Sequence, residues 1–265
     1  MKITNLSKLE KIPTPNIINL ADCPDRKAYT EKEFSKLGVN NIHVHVYERY
    51  GKDSIPFIGE PGLLEIMTKG VTSSHLLTIK WWYENTNEEI GLFFEDDVDF
   101  EPVKLWNFTL MEFIEGIEAE WGALHLCNVF EYPYETDIEY PPMMIRRRRL
   151  WDYGLQAYAL KREYAKQIID YYFIETENDK PLAIHYRMPL GAPPSFENNV
   201  MHGFGPVYTF PLFNQNVTDF RSKNIYYYNK QADSAIYSYE FLKDWWEKKG
   251  SQKSLDEIYE EAKYE

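Results

Sequence analysis

Ile90-Gly91-Leu92-Phe93-Phe94-Glu95-Asp96-Asp97-Val98-Asp99-Phe100 decides how the rest of the chain is read. A short apolar run of this kind predicts a buried strand. Its carboxylates do not belong inside that strand, because burying an unpartnered charge is very costly. They belong at its C-terminal end, where the chain leaves the core. In open α/β sheets that end is where ligands bind. Carboxylates crowded there repel one another unless a cation lies between them. Hard divalent ions such as Mg²⁺ and Mn²⁺ take oxygen ligands, and Mg²⁺ sites commonly include substrate phosphates. The alternative is a solvated acidic turn, or a cap for a helix starting near Pro102.

Working outward, the pattern alternates. Asn16–Leu20 is β-like, and a helix is expected over about 26–37, with Asp25 as N-cap and Gly38 as stop. Asn41–Tyr47 alternates with period two. His43 and His45 share a face there, where partly exposed filler is the simpler reading than metal ligation. Residues 48–70 read as irregular. A helix follows over about 72–85, then the acidic strand, then a helix over about 102–118. Strands are expected at 121–127, 154–160 and 207–213, the last an edge or strand end because it contains Pro211. A helix is expected over 162–173. Residues 130–143 and 178–206 read as long ordered loops, the second a possible lid. The order predicts an α/β fold with a mostly parallel central sheet.

Composition bounds the function. The chain has 265 residues, 44% of them hydrophobic, enough for a sizeable core. Aromatics reach 16%, which suits a cleft for sugars or bases as well as a Tyr-rich core. A net charge of −13 argues against a general nucleic-acid binder. Arg146-Arg147-Arg148-Arg149 is the local exception: it could meet a phosphate, but strand alternation places only two of the four on one face. Cys23 and Cys127 form no Cys-x-x-Cys pattern, as expected of a reducing, cytoplasmic compartment. The first residues lack the apolar core of a signal peptide, and no stretch is long enough to span a bilayer. A soluble protein is expected.

Four blocks, in order, resemble the glycosyltransferase family that contains bacterial lipooligosaccharide galactosyltransferases and collagen hydroxylysine glycosyltransferases (family 25). They are Ile18-Asn19-Leu20 with Asp25-Arg26; Lys69–His75, in which Ser74 and His75 match while Thr72-Ser73 replace a Gly-Cys pair; Phe94-Glu95-Asp96-Asp97-Val98, close to the family's Leu-Glu-Asp-Asp-Val; and Gly154–Tyr158 with Arg162, Ala165 and Lys166. A weaker echo runs from Val207-Tyr208 to Pro211-Leu212-Phe213-Asn214-Gln215. The family's late Val-Asp pair is replaced within Ser195-Phe-Glu-Asn-Asn-Val-Met-His202.

The resemblance implies a GT-A, Rossmann-like domain over residues 1–235. Its nucleotide-sugar half would be 16–125, its acceptor half 126–235, and residues 236–265 a charged helical appendage. It implies inverting transfer of a hexose from a UDP-hexose to a hydroxyl, most simply of a glycan, with Mn²⁺ or Mg²⁺. Asp97 would hold the metal with Asp96 or Asp99, and His202 would be a third ligand. Asn19, Leu20, Arg26, Ser74, His75, Glu95 and Asp96 would contact the donor. Ser74 and His75 would do so at a helix start, where N–H groups suit a phosphate. Glu197, or else Asp152, would be the catalytic base, and Tyr158 either lines the cleft or fills the core. Two other readings stay open: a non-catalytic binding protein of the same fold, and a transferase acting on modified viral DNA.

Overall fold

The computed structural model describes residues 8–52, 54–59, 66–129, 143–150, 152–174, 182–185, 196–217 and 229–264. Its centre is an eight-stranded sheet in the order β2-β1-β4-β8-β6-β11-β5, with β7 also pairing β11. Strands β1 (Asn16–Leu20), β2 (His43–Tyr47), β4 (Ile90–Glu95), β6 (Ala123–Cys127) and β11 (Val207–Gln215) run one way. Strands β5 (Val98–Asp99), β7 (Arg146–Arg147) and β8 (Ala157–Lys161) run the other. The fold is α/β, and its sheet is mixed: β8 lies antiparallel between β4 and β6. A smaller sheet joins β3 (Phe57–Ile58), β10 (Ala183–His185) and β9 (Phe173–Ile174).

Helices cover both faces. Side chains alternate along β4, so Leu92 and Phe94 join one core while Phe93 joins the other. The first core takes Phe34 from α1 (Pro24–Lys36), Phe113 from α3 (Leu110–Glu115), Trp246 from α6 (Asn229–Lys248) and Ile258 from α7 (Leu255–Glu260). The second takes Leu76, Ile79 and Trp82 from α2 (Ile66–Asn85), Tyr164 and Ile168 from α4 (Arg162–Tyr172) and Val200 from α5 (Phe196–Met201). The charged C-terminal segment, read as an appendage, is therefore part of the first core.

Several boundaries differ from the sequence reading for local reasons. Helix α2 begins at Ile66 rather than Thr72, so Gly70 lies inside it. Cys23 occupies the cap position of α1, Pro24 opens the helix, and Asp25 sits in its first turn. The helix expected over 102–118 is two pieces, a 3-10 turn at Glu101–Leu105 and α3. Thr109 restarts the helix through a capping box: its hydroxyl accepts from Glu112 N at 3.1 Å and the Glu112 carboxylate accepts from Thr109 N at 2.7 Å. Strand β11 is not an edge strand, because β6 flanks one side and β5 and β7 the other. Pro211 falls where its register with β6 shifts between Thr209 and Phe213, so no ladder donor is lost there. Within the loop expected over 178–206 lie β10 and α5; residues 186–195 lie outside the described residues, as does 130–142 of the other long loop.

Candidate functional site

Strand β1 hands the chain to β2 on one side and has β4 on its other side. The crevice at the carboxyl ends of β1 and β4 is thus a topological switch point, the general ligand position in such sheets. The acidic turn stands there. Asp96 faces α1: its Oδ2 accepts from Asn19 Nδ2 at 2.6 Å and from Leu20 N at 3.4 Å. Its backbone N–H donates to Ile18 O at 3.1 Å, and its carbonyl accepts from Thr30 Oγ1 at 3.0 Å. Arg26, on the first turn of α1, bridges both aspartates, with NH2 3.1 Å from Asp96 Oδ1 and 2.5 Å from Asp97 Oδ2. The end of β11 closes the turn: Gln215 Nε2 donates to Asp97 Oδ2 at 3.2 Å and Asn216 N to Asp97 O at 2.7 Å.

One acidic oxygen is left over. Asp97 Oδ1 is buried and has no hydrogen-bond partner among the described residues. Burial pushes the Asp97 carboxyl up to about 7; Arg26 pulls against that, and Glu95 and Asp96 add to it. A buried acceptor of this kind, beside a second carboxylate, is what a hard cation needs. Among the described residues no three His, Cys, Asp or Glu side chains converge on a metal position. That does not conflict with Mg²⁺, which is commonly held by one or two carboxylates plus substrate phosphates. Asp97 Oδ1 is the acceptor of the turn that such an ion could take, while Asp96 is engaged by Asn19, Leu20 N and Arg26.

Asp99 and His202 lie in other networks. Asp99 is buried in β5, pairs across to Asn214 and accepts from Glu101 N at 3.2 Å; burial pushes its carboxyl up to about 6. His202 directly follows α5, its N–H donating to Asn198 O at 3.1 Å, with burial and the charge of Arg148 holding its pKa down.

Glu95 turns to the opposite face of β4 from Asp96. Its Oε1 meets His75 Nε2 at 2.9 Å and its Oε2 accepts from Gln156 Nε2 at 2.9 Å. His75 Nδ1 meets the Tyr158 hydroxyl at 2.9 Å. Ser74 and His75 do not mark a helix start: they sit inside α2, where Ser74 Oγ donates to Val71 O at 2.9 Å. Their backbone N–H groups belong to the helix ladder, so the expected phosphate role for a helix terminus fails at this position.

Asp152 is committed elsewhere. Arg146 binds it with two hydrogen bonds of 2.7 Å, and Arg149 N donates to Oδ2 at 2.6 Å. Burial opposes its ionisation, but these partners hold the carboxyl below the usual range. Arg148 also turns inward, donating to Asn198 Oδ1 at 2.9 Å and Asp152 O at 2.8 Å. Exposed Arg147 stacks on Tyr208, its guanidinium carbon 5.3 Å from the ring centre. Arg146 and Arg148 are thus spent inside the fold, whereas Arg147 and Arg149 stay exposed, the two-and-two split expected of strand alternation. Glu197 is 3% exposed and accepts from Gly154 N at 3.2 Å. It lies just behind the segment that carries Gln156 to Glu95.

Gln156 and Gln215 escaped the sequence reading as site residues. Amides carry no charge pattern to flag them, and only strand pairing brings them to the acidic turn. His43 and His45 pack edge-on against Trp81 at 4.8 and 4.7 Å between ring centres, and His45 Nε2 meets Asn16 Oδ1 at 3.1 Å. Among the described residues no helix is long and apolar enough to cross a membrane.

Neither protein-family models nor curated proteins match the chain. Among solved structures it is similar to the crystal structure of A197 from STIV, with 11% identity over 76% of this chain and 84% of that one and a TM-score of 0.35.

Proposed function

We propose that the chain is a metal-assisted glycosyltransferase of the GT-A type, moving a hexose from a nucleotide sugar, taken here as a UDP-hexose, to an acceptor hydroxyl. The observation that carries this reading is the Arg26–Asp96–Asp97 cluster at the β1/β4 switch crevice, with Asp97 Oδ1 buried and unpartnered. The resemblance of Phe94–Val98, which includes both aspartates, to the family 25 motif is in keeping with it.

In the reaction, the acceptor oxygen bonds to the sugar anomeric carbon, and the bond from that carbon to the diphosphate breaks with its electron pair going to phosphate. A cation at Asp97 and Asp96 would neutralise the charge that develops on the diphosphate, commonly the largest catalytic contribution. Asn19 and Leu20 N fix Asp96, and Gln215 fixes Asp97, so both carboxylates are oriented before any ligand arrives. Arg26 has the planar fork that suits phosphate oxygens and is 28% exposed at the crevice. Inversion needs a carboxylate to take the acceptor proton. With Asp152 locked to Arg146, Glu197 keeps that role in this reading.

The test is thermal unfolding with UDP-, GDP-, CMP- and dTDP-sugars, each with Mn²⁺ and with EDTA. Saturation at a hundredfold excess over Kd adds about 2.7 kcal/mol to stability. One donor should raise the melting temperature with Mn²⁺, and EDTA or Asp97→Asn should abolish the rise. If none of the four classes shifts it, or if Asp97→Asn responds like the native protein, the reading is wrong.

A further inference from the structure

The acidic turn already carries a positive charge, and that charge belongs to the chain. Arg26 NH2 lies 3.1 Å from Asp96 Oδ1 and 2.5 Å from Asp97 Oδ2, so one guanidinium spans the two carboxylates that the proposed cation would use. Arg26 is also the most open member of the cluster, its side chain 28% exposed against 6% and 15% for the aspartates. Two cations on one pair of carboxylates repel each other, the more so where water is largely excluded. The guanidinium and a divalent ion therefore compete for the same oxygens.

The aspartates have other anchors. Asp96 Oδ2 accepts from Asn19 Nδ2 and Leu20 N, while its backbone is tied to Ile18 O and Thr30 Oγ1. Asp97 is held by Gln215 Nε2 at Oδ2 and by Asn216 N at its carbonyl. These partners are neutral, so they orient the carboxylates without cancelling their charge. With the guanidinium swung out, Asp96 Oδ1 and Asp97 Oδ2 would join the partnerless Asp97 Oδ1 in one preformed set of oxygens. The position of Arg26 favours such a departure. It stands in the first turn of α1, the positive end of the helix dipole, where a cation is disfavoured. A phosphate arriving there offers the guanidinium a bidentate, charge-assisted partner in place of the aspartates. We propose that Arg26 is an internal counter-cation, which holds the aspartates in the empty crevice and yields them to the divalent ion when a diphosphate draws it away. The inference rests on the nucleotide-sugar reading above. It makes the affinity of the free protein for the ion low and couples ion to nucleotide, each tightening the other by the same factor.

Mn²⁺ binding, followed by loss of the free-ion electron paramagnetic resonance signal, tests this in the native protein and in Arg26→Gln, each with and without UDP. Without UDP, Arg26→Gln should bind Mn²⁺ about tenfold or more tightly than the native protein does. UDP should tighten Mn²⁺ by a larger factor in the native protein than in the variant, which has no guanidinium to draw away. If Arg26→Gln unfolds because the two aspartates are left facing each other, Mn²⁺ should restore its circular dichroism and its cooperative melting. Unchanged or weaker Mn²⁺ binding by a folded Arg26→Gln overturns the proposal, because an arginine that only braced the turn gives that result. A variant that stays unfolded in Mn²⁺ overturns it as well. Failure of the native protein to bind Mn²⁺ even with UDP removes the underlying reading and this inference with it, a different result from a variant that gains nothing.

Discussion

His125 shows how strongly a single buried ring can set acid stability here. It is fully buried in β6, with Nε2 against the Gly154 carbonyl and Nδ1 facing Thr209 Oγ1 at 3.4 Å. Burial, then the nearby charge of Arg148, holds its pKa down to about 3. The unfolded chain titrates near the ordinary histidine value of about 6.5. Between those values the unfolded state binds more protons than the native one, so stability rises with pH. This contribution is complete above about pH 6.5 and is lost as pH falls toward 3. His45, held to about 4 by burial and by His43, adds in the same direction. His125→Gln keeps an N–H for Gly154 and removes the titration. It should therefore flatten unfolding free energy measured by urea between pH 4 and 6.5, with little change at pH 8. An unchanged acid limb would mean that the imidazole is not held neutral. Asp97 acts oppositely: its raised pKa favours the native state at low pH, so the site opposes the core histidine.

At the scale of elements, β4 must bring Glu95 and Asp96 to opposite sides of one strand, and Gly91 lets it lie close against α2. A Cβ at Gly91 would stand 2.7 Å from Trp82 Cε2 and 2.8 Å from Phe93 Cε2. Gly91→Ala should destabilise the protein by about 1–3 kcal/mol, the usual cost of overpacking. Trp82→Leu added to it should recover part of that loss in a chemical-denaturation cycle; strict additivity would show that the ring is not the obstacle. The same strand was the most legible part of the sequence, because an apolar run ending in three charges has few other solutions. The starts of α2 and α3 were less legible. Gly70 reads as a breaker yet is tolerated inside α2, whereas Thr109 interrupts an apolar pattern that looks continuous. Asn19, Arg26 and the aspartates could be nominated from their position. That Arg26 bridges both aspartates, and that Asp152 is spent on Arg146, depend on contacts that no spacing rule encodes.

Over the whole molecule, α6 and α7 complete the core on which the site rests. Trp246 is fully buried, packs against Trp106, Phe108 and Phe210, and donates from Nε1 to Pro211 O at 3.3 Å. Phe213, two residues beyond Pro211, touches Trp106, and Gln215, two further on, holds Asp97. Trp246→Ala should cost about 3–5 kcal/mol by denaturant titration. A loss under 1 kcal/mol would return the segment to the status of an appendage. The direction of β8 has a further consequence, for folding kinetics. This strand follows both β4 and β6 in the chain yet lies between them, so those two are not partners in the native sheet. With β8 in place they stand about two strand spacings, roughly 9.6 Å, apart. Its arrival closes two non-local ladders at once, a topology that folds slowly. Glu95 N donates to the Gln156 carbonyl where β4 meets the start of β8, so protection of that amide from hydrogen exchange during refolding becomes a clock for the insertion of β8.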